Sequence, residues 1–475
     1  MKQIRHRTGA VTEMERTTAK KNKYEIDMCN GTIMDKLISF SLPLMLSGIL
    51  QLMFNAVDII VVGRFSGSQA LAAVGSTSAL INVFTNLFIG ISLGANVLTA
   101  RFYAAGREKE VSETVHTAIT LALVSGIVMA LVGLVFSKGA LALMGTPDDV
   151  IGLSALYMRI YFLGMPFFML YNYGAAILRA VGDTKRPLLF LMIAGVINAC
   201  LNMVLVIVFK LGVAGVAIAT VISQMISCVL VLRCLCRSES SYRLRFSELG
   251  MKGYYLKQIF SVGVPAGIQS TVINFSNVLL QSSVNSFGST AMAGYTAANN
   301  LLGFLYVSVN SITQACMSFT SQNYGVGKLK RMDRVLADCM ILSVVVAVVL
   351  GCICYGFGPE ILQIYTEDAE VIACGMEILA YTTITYFLCG WMDLFPGALR
   401  GMGYSAVPMV LSVIGTVGTR VVWIFGIFPY HRSLAILFIS YPASWIITIV
   451  LQVICFYFVR RRVHRGSQAL AGQEG

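Results

Sequence analysis

Runs of about 20 apolar residues recur along almost the whole sequence, and they constrain the fold more than any other feature. A run of this length matches the thickness of a bilayer's hydrocarbon core, about 30 Å, at the α-helical rise of about 1.5 Å per residue. Of the 475 residues, 57% are hydrophobic and only 12% are charged, whereas soluble domains carry about 25% charged residues. The sequence therefore predicts an all-α integral membrane protein.

The apolar runs define twelve predicted membrane spans, numbered 1 to 12 along the chain. Their ranges are 37–63, 70–100, 114–137, 150–178, 187–209, 212–232, 258–285, 291–320, 335–356, 371–399, 407–428 and 434–459. A polar, basic segment precedes them, and the first apolar run begins too late and is too long for a cleavable signal peptide. We expect a multi-pass protein of the plasma or inner membrane, with the lipid bilayer as its surroundings.

The net charge of +12 follows the membrane topology. Of the 35 Lys and Arg residues, 29 fall on the side of the two termini and four on the other, while Arg159 and Arg420 lie within spans. This bias places both termini in the cytoplasm. Because the basic residues are spread over alternate loops, nucleic-acid binding is not expected. The 12 cysteines lack the spacing of a zinc site, so neither a metal nor an organic cofactor is predicted.

The second half of the sequence repeats the first at an offset of 221 residues. Matching pairs are Ser68 and Ser289, Tyr103 and Tyr324, Arg179 and Arg400, Gly182 and Gly403, and Pro187 and Pro408. Pro43 and Pro265 match at 222. Each copy has six spans, an even number, so the sequence predicts two parallel six-helix bundles related by a pseudo-two-fold axis along the membrane normal.

The repeat sets the expected organisation of the chain. The predicted parts are a basic tail (1–36), an N-terminal lobe (37–235), a linker (236–257), a C-terminal lobe (258–459) and a second tail (460–475). Both tails and the linker are expected in the cytoplasm. Two similar bundles that face each other leave a cleft between them, which is typical of a carrier that works by alternating access.

The stretch GISLG, from Gly90 to Gly94, fits the G-x-S-x-G pattern of serine hydrolases. A nucleophilic Ser92 would need a base at the same depth, but the four histidines lie in tails, in loops or at a span edge. Small residues also let helices pack closely. We interpret GISLG as a packing motif and expect no enzymatic activity.

Asp58 lies in the apolar second half of span 1, where an ionised aspartate costs about 2.5–3.5 kcal/mol. Asn198, Asn202 and Thr220 are polar positions of the same lobe, and the two asparagines share one face of span 5. Amides and hydroxyls can hydrogen-bond either form of a carboxyl group. We therefore predict that Asp58 couples transport to protons or another cation, and that Pro43, which removes a backbone donor, is a hinge in span 1.

Four further residues are candidates for a substrate site or a second ion site. Asp393 in span 10 matches Asn172 in span 4, so both lobes are polar at that point. Glu377 and Arg159 lie at similar depths in spans 10 and 4 and are candidates for an outer gate, although Glu377 also suits a snorkelling, interfacial position. Arg420 is the candidate that would neutralise Asp393.

The sequence resembles the multidrug and toxic compound extrusion (MATE) family from about residue 36 to 460. The likeness rests on PLMLSGILQLMFNAVDIIVVGRFSGSQALAAVG at span 1, ILRAVGDTKRP after span 4, SQNYGVGKLKR after span 8 and ALRGMGYSAVP after span 10. The resemblance implies twelve helices in two lobes. It also implies export of amphipathic, often cationic compounds against an inward proton or sodium gradient.

The DNA-damage-inducible branch of the family is the most similar. Its helix 1 proline and aspartate match Pro43 and Asp58, and its helix 6 threonine matches Thr220. In helix 5 this branch has an asparagine and an aspartate, whereas this chain has Asn198 and Asn202. Sodium-coupled members have a glutamate in helix 7, which is absent here, so the resemblance favours protons over sodium.

The expected function is therefore an antiporter of small molecules that works as a monomer. The 23 methionines suit a promiscuous site without selecting a compound. The alternative within carriers is a flippase for lipid-linked saccharides, for which cationic residues in the cavity are expected.

Overall fold

The computed structural model of the protein describes residues 24–471, so most of the predicted first tail and the last four residues lie outside the described residues. The described chain is almost entirely helical, and every predicted span corresponds to a helix or to a bent series of helices. Spans 1 to 6 are Met34–Phe65, Ser68–Ala104, Glu108–Leu143, Asp148–Leu163 with Met165–Ala180, Lys185–Asn202 with the π-helical Met203–Val208, and Gly212–Cys236. Spans 7 to 12 are Gly253–Asn285, Ser289–Gly325, Leu329–Gly356, Ala369–Thr382 with Tyr386–Gly401, Ala406–Ser412 continuing through π-helical turns to Ile427, and Leu434–Ala471.

Most of these helices are long and apolar enough to cross a membrane. Eight meet that description singly within the described residues, and ten do if each bent pair counts as one span. Spans 7 and 8 are more polar than the others. Span 8 contributes polar side chains to the contact between the lobes. Span 7 contributes Gln269, which accepts a hydrogen bond from Arg400 within the C-terminal lobe.

The sequence repeat is also a repeat in the structure. Spans 2 and 8 both have 37 residues. Span 4 bends by 47° and its counterpart, span 10, by 51°. Glycines at loop positions 67, 106 and 182 have positive φ values of 86°, 68° and 99°, and those 221 residues later have 99°, 71° and 93°. The left-handed backbone region favours glycine, so these turns need glycine at both copies.

Each lobe has its own apolar core, and a third cluster lies between the lobes. Phe162 and Tyr173 are fully buried in the N-terminal lobe, as are Leu379 and Leu437 in the C-terminal lobe. The cluster between the lobes includes Phe40 of span 1 and Phe319 of span 8, whose rings meet edge-to-face at 5.6 Å between centroids. This contact fixes the entry of span 1 against the C-terminal lobe.

The two lobes contact each other mainly in one half of the molecule, which we call the basic end. It carries the linker and the loops after spans 2, 4, 8 and 10. There spans 2 and 7 approach at glycines: a Cβ on Gly90 would lie 2.3 Å from Cα of Gly267, and one on Gly94 would lie 2.2 Å from the carbonyl oxygen of Ile259. The GISLG stretch thus lies at a close helix contact, as the packing interpretation predicts.

Hydrogen bonds between the lobes repeat the pseudo-symmetry. Arg101 of span 2 donates to the carbonyl of Gly401 in span 10 at 3.4 Å. The repeat-related Gln322 of span 8 donates to the carbonyl of Ala180 in span 4 at 2.7 Å. Each lobe therefore holds the last turn of the other lobe's fourth helix, and the molecule is closed at the basic end.

Residues 24–33 cross the basic end before span 1 begins. Glu25 accepts hydrogen bonds from Tyr103 of the N-terminal lobe and from Tyr242 of the linker, at 2.7 and 2.8 Å. On the other side, Asn323 and Arg331 of the C-terminal lobe donate to the carbonyl of Met28, at 3.1 and 3.2 Å. This part of the predicted tail is thus ordered and bridges the lobes.

Candidate functional site

Span 1 places Asp58 against spans 5 and 6, where the side chain is only 9% exposed. Asn202 Nδ2 donates to Asp58 Oδ1 and also approaches Asn198 Oδ1 at 3.2 Å. Asn198 Nδ2 lies 3.5 Å from the hydroxyl of Thr220, which lies 3.4 Å from Asp58 Oδ2. The structure therefore brings together the four residues that the sequence singled out, from three helices.

The Thr220 hydroxyl can serve both forms of the carboxyl group. Its single proton has a nearer acceptor in the Val216 carbonyl, at 2.9 Å, than in Asp58 Oδ2, at 3.4 Å. When Asp58 is protonated, its own O–H can donate to Thr220 while Thr220 donates to Val216. When Asp58 is ionised, Asn202 supplies the donor on the other oxygen. The polar shell thus has a partner for each state.

Asp58 has no cationic partner among the described residues. The ion pairs among the described residues involve other carboxylates, and all of these ion pairs lie at the basic end. The Asn202 Oδ1 atom beside Asp58 is buried without a hydrogen-bond partner. A carboxyl group surrounded by neutral dipoles can exchange a proton or a small cation without breaking a salt bridge.

Two tyrosines of span 4 complete this side of the N-terminal lobe, and sequence reasoning missed them. The rings of Tyr157 and Tyr161 stack with centroids 6.2 Å apart, and the helix that carries them packs against span 6, which carries Thr220. Their i, i+4 spacing puts them on one face of the helix. That spacing was the available signal, but many aromatic pairs in membrane helices share it.

Pro43 lies within span 1, about four turns before Asp58. The proline has no N–H, so the carbonyl one turn earlier lacks its usual helical donor. Ser47 Oγ donates to the Pro43 carbonyl at 2.8 Å. Pro43 is buried beside the interlobe cluster, where a change of helix direction would move span 1 relative to the C-terminal lobe.

The candidates for a second site are not gathered in the same way. Asn172 donates to the Phe168 carbonyl of its own helix at 2.8 Å. Arg159 and Glu377 form no ion pair with each other within the described residues. Asp393 is half-buried and is not paired with Arg420, because the hydrogen bonds of that arginine go to neutral groups instead.

Two more arginines lie inside helices, although the sequence analysis counted them as loop residues. Arg179 occupies the last turn of span 4 and donates to Gln314 of span 8 at 3.0 Å. Its repeat mate Arg400 ends span 10 and donates to Gln269 of span 7 at 2.6 Å. Both are half-buried between helices and neither is in an ion pair with a described carboxylate. The hydrophobic runs end before these residues, so the runs alone could not reveal their burial.

Two similar six-helix lobes, closed together at one end and with a buried polar site in one lobe, define a two-lobed membrane transporter. The MatE family model matches residues 43–204 and 265–425. The chain belongs to the MATE family, as the resemblance implied.

Curated relatives and solved structures agree with this assignment. The Bacillus subtilis (strain 168) protein named Probable multidrug resistance protein YoeA is 32% identical over 89% of this chain and 93% of its own length. Probable multidrug resistance protein YpnP of the same strain is 27% identical over 82% and 87%. A structure described as the outward-facing conformation of a multidrug resistance MATE family transporter superposes with a TM-score of 0.85 at 19% identity, covering 94% of this chain and all of that one. The predicted twelve-helix, two-lobe fold is confirmed.

Proposed function

We propose that the protein is a proton-coupled antiporter of the cell membrane that exports amphipathic, cationic drugs or toxins. The observation that carries the proposal is Asp58, a buried carboxyl group with neutral partners and no counter-ion among the described residues. The names of the curated relatives, which refer to multidrug resistance, support the substrate class. No cofactor other than the coupling ion is required.

The proposed cycle uses Asp58 in both of its forms. Ionised, the carboxylate is held by Asn202 with Asn198 and Thr220 behind it, and it attracts a cationic substrate into the N-terminal lobe. Protonated from outside, it loses that charge and releases the substrate outward. We assign the basic end to the cytoplasm, so the closed contact between spans 2 and 7 corresponds to the outward-open state.

The energetics are sufficient for export. A proton that enters down a potential of 100 mV supplies about 2.3 kcal/mol, which supports a gradient of about 50-fold for a neutral substrate at one-to-one exchange. For a monovalent cation, one-to-one exchange moves no net charge. Export of such a cation is then driven by the pH gradient alone.

The test is efflux from proteoliposomes with proton and sodium gradients imposed separately, for the wild type and for Asp58→Asn. We expect the wild type to concentrate an ethidium-like cation in response to the pH gradient. We expect Asp58→Asn to fold with a similar Tm and to lose accumulation entirely, since the amide mimics the protonated form permanently. Asp35→Asn, an exposed change in the first turn of the same span, is the matched control.

The two ions give different outcomes in this assay. If sodium alone drives accumulation in the wild type, the coupling ion is wrong while the antiport mechanism stands. If Asp58→Asn still concentrates substrate under a pH gradient, the role assigned to Asp58 is wrong.

A second candidate, a flippase for lipid-linked saccharides, is favoured by Arg179 and Arg400. Two half-buried guanidinium groups near the contact between the lobes suit the pyrophosphate of such a lipid. A vesicle assay with a fluorescent undecaprenyl-pyrophosphate sugar distinguishes the two. Lipid translocation without uptake of cationic dyes would favour this candidate over export of drugs.

A further inference from the structure

Arg420 is a buried charge in the C-terminal lobe that the proposed transport cycle does not use. It lies in the middle of span 11 with only 3% of its surface exposed. Arginine stays protonated in proteins, so this residue cannot escape the cost of burial by becoming neutral. A charge in the membrane interior is retained only where something compensates it.

The protein groups around Arg420 are all neutral. Nη1 donates to Asn277 Oδ1 at 2.7 Å and to Ser276 Oγ at 3.3 Å, and Nε donates to Ser444 Oγ at 3.4 Å. The ring of Tyr441 lies 4.7 Å from the guanidinium carbon. No described carboxylate forms an ion pair with Arg420. The protein thus orients the guanidinium group without neutralising it.

One part of the guanidinium group is still available. Nη2 makes no hydrogen bond to a described residue, and it is not completely buried. By contrast, the Nε atoms of Arg101 and Arg400 are completely buried and have no hydrogen-bond partner. Nη2 therefore points to space that a small species can reach.

The position of Arg420 mirrors the Asp58 site. Spans 7, 11 and 12 supply its partners, and spans 1, 5 and 6 are their counterparts in the repeat. Tyr441 is 221 residues after Thr220, Asn277 is 222 after Asn55, and Arg420 is 222 after Asn198. The same three-helix arrangement therefore holds a negative group in one lobe and a positive group in the other.

We propose that Arg420 binds a small monovalent inorganic anion, with chloride as the reference ligand, between spans 7, 11 and 12. A single charge on the ion matches the single charge on the arginine. The 3% exposure of the side chain limits the ligand to one atom or a few atoms. Asn277, Ser276, Ser444 and Tyr441 position the guanidinium group, and Nη2 donates to the anion. This proposal does not depend on the proposed function, because it requires neither proton coupling nor a drug.

The experiment measures the Tm of the full-length protein in nanodiscs while sodium gluconate is replaced by sodium chloride at constant ionic strength. Bound anion stabilises the folded state, so we expect a saturable rise of about 2 °C or more. Arg420→Gln should abolish the rise. Arg432→Gln, which changes an exposed arginine that also contacts an aromatic ring, should keep it.

Asn277→Asp is the decisive variant. It keeps Arg420 and puts a carboxylate where Asn277 Oδ1 now lies, so an internal charge replaces the anion. We expect its Tm in gluconate to reach or exceed that of the wild type in chloride, with no further response to chloride. Asn285→Asp, an exposed position on the same span, should respond to chloride as the wild type does.

Three results would overturn the proposal. The first is a wild type whose Tm is the same in gluconate and chloride. The second is an Arg420→Gln variant that keeps the saturable rise. The third concerns Asn277→Asp, which decides the question if Arg420→Gln does not fold. It is a Tm in gluconate below that of the wild type, together with the same response to chloride as the wild type.

Discussion

At the residue scale, the charge within each lobe is compensated in a different way. Asp58 sits among two amides and a hydroxyl that can pair with its neutral or its ionised form. Arg420 donates hydrogen bonds to neutral side-chain oxygens, and no described carboxylate forms an ion pair with it. A carboxyl group can change its charge and an arginine cannot. The N-terminal site can therefore change its charge during transport, whereas the C-terminal site keeps a positive charge that a bound anion would compensate.

Asn202→Asp tests how many acids the N-terminal site can use. The change places a second carboxylate beside Asp58, to which the Asn202 amide donates a hydrogen bond in the wild type. Two carboxyl groups in contact cannot both ionise freely, so they share a proton and titrate as a pair. We expect the pH dependence of efflux to broaden and the number of protons per substrate to rise from one towards two. A pH profile and stoichiometry identical to the wild type would show that position 202 has no part in coupling.

At the element scale, the spans were predictable but their irregularities were not. Hydrophobic length locates a helix in a membrane, because every buried backbone group must be paired within it. It does not mark the bends after Leu163 and Thr382 or the π-helical turns of spans 5 and 11. Those features depend on packing against neighbouring helices. Helix ends also escaped prediction: the helix of span 12 continues to Ala471, beyond the predicted end of the apolar run at residue 459.

The residues of the candidate site likewise include some that the sequence predicted and some that it did not. Asp58 was predictable because a charge within an apolar run is costly, and Asn198, Asn202 and Thr220 because they are polar residues of the same lobe. Tyr157, Tyr161 and Arg179 were not. Their roles depend on which neighbours the folded helices bring to them.

Gly90→Ala tests the contact between spans 2 and 7. The added Cβ would lie 2.3 Å from backbone atoms of Gly267, which cannot move aside as a side chain can. We expect a loss of about 1–3 kcal/mol from overpacking, seen as a lower Tm, together with slower transport. Gly139→Ala is the matched control, because no atom lies within 4 Å of its Cβ position. The same change there should be neutral or slightly stabilising, since alanine has the higher helix propensity.

Pro43→Ala tests the hinge in span 1. The change restores a backbone donor to the helix, so we expect a higher Tm and a straighter span. Transport should fall, but less than in Asp58→Asn, because the carboxyl group is still present. Pro442→Ala, within span 12, is the control for removing a proline from a membrane helix. Transport at the wild-type rate in Pro43→Ala, with substrate still accumulated, would exclude a hinge at this position.

At the scale of the whole molecule, the basic end is held closed by hydrogen bonds that water can replace when the lobes separate. The hydrogen bonds between the lobes there join mostly neutral groups, such as Ser321 with the Val97 carbonyl at 2.6 Å. Residues 24–33 add a bridge between the lobes. Arg331 contributes three bonds to it, from Nε to the Met28 carbonyl and from Nη1 and Nη2 to the carbonyls of Gly31 and Asn30, at 3.2, 2.8 and 3.1 Å. Opening this end must break the bridge on one side.

Arg331→Gln should therefore shift the molecule towards opening at the basic end. The reporter is Ser321→Cys in a cysteine-free background, because Ser321 is fully buried between the lobes and reacts only when they separate. We expect its labelling by a membrane-impermeant maleimide to accelerate several-fold in Arg331→Gln. Arg334→Gln, an exposed arginine on the same helix, should leave the rate unchanged.

The same reporter tests the orientation in the membrane. With the basic end in the cytoplasm, Ser321→Cys should react in inside-out vesicles and stay protected in intact cells. Labelling in intact cells would place the basic end outside and invert the assigned topology.

Equal labelling rates in Arg331→Gln, Arg334→Gln and the parent would contradict the role assigned to Arg331. Residues 24–33 would then follow the motion of the lobes without restraining it, because the loss of three hydrogen bonds at a closing contact must otherwise change the equilibrium between its open and closed states.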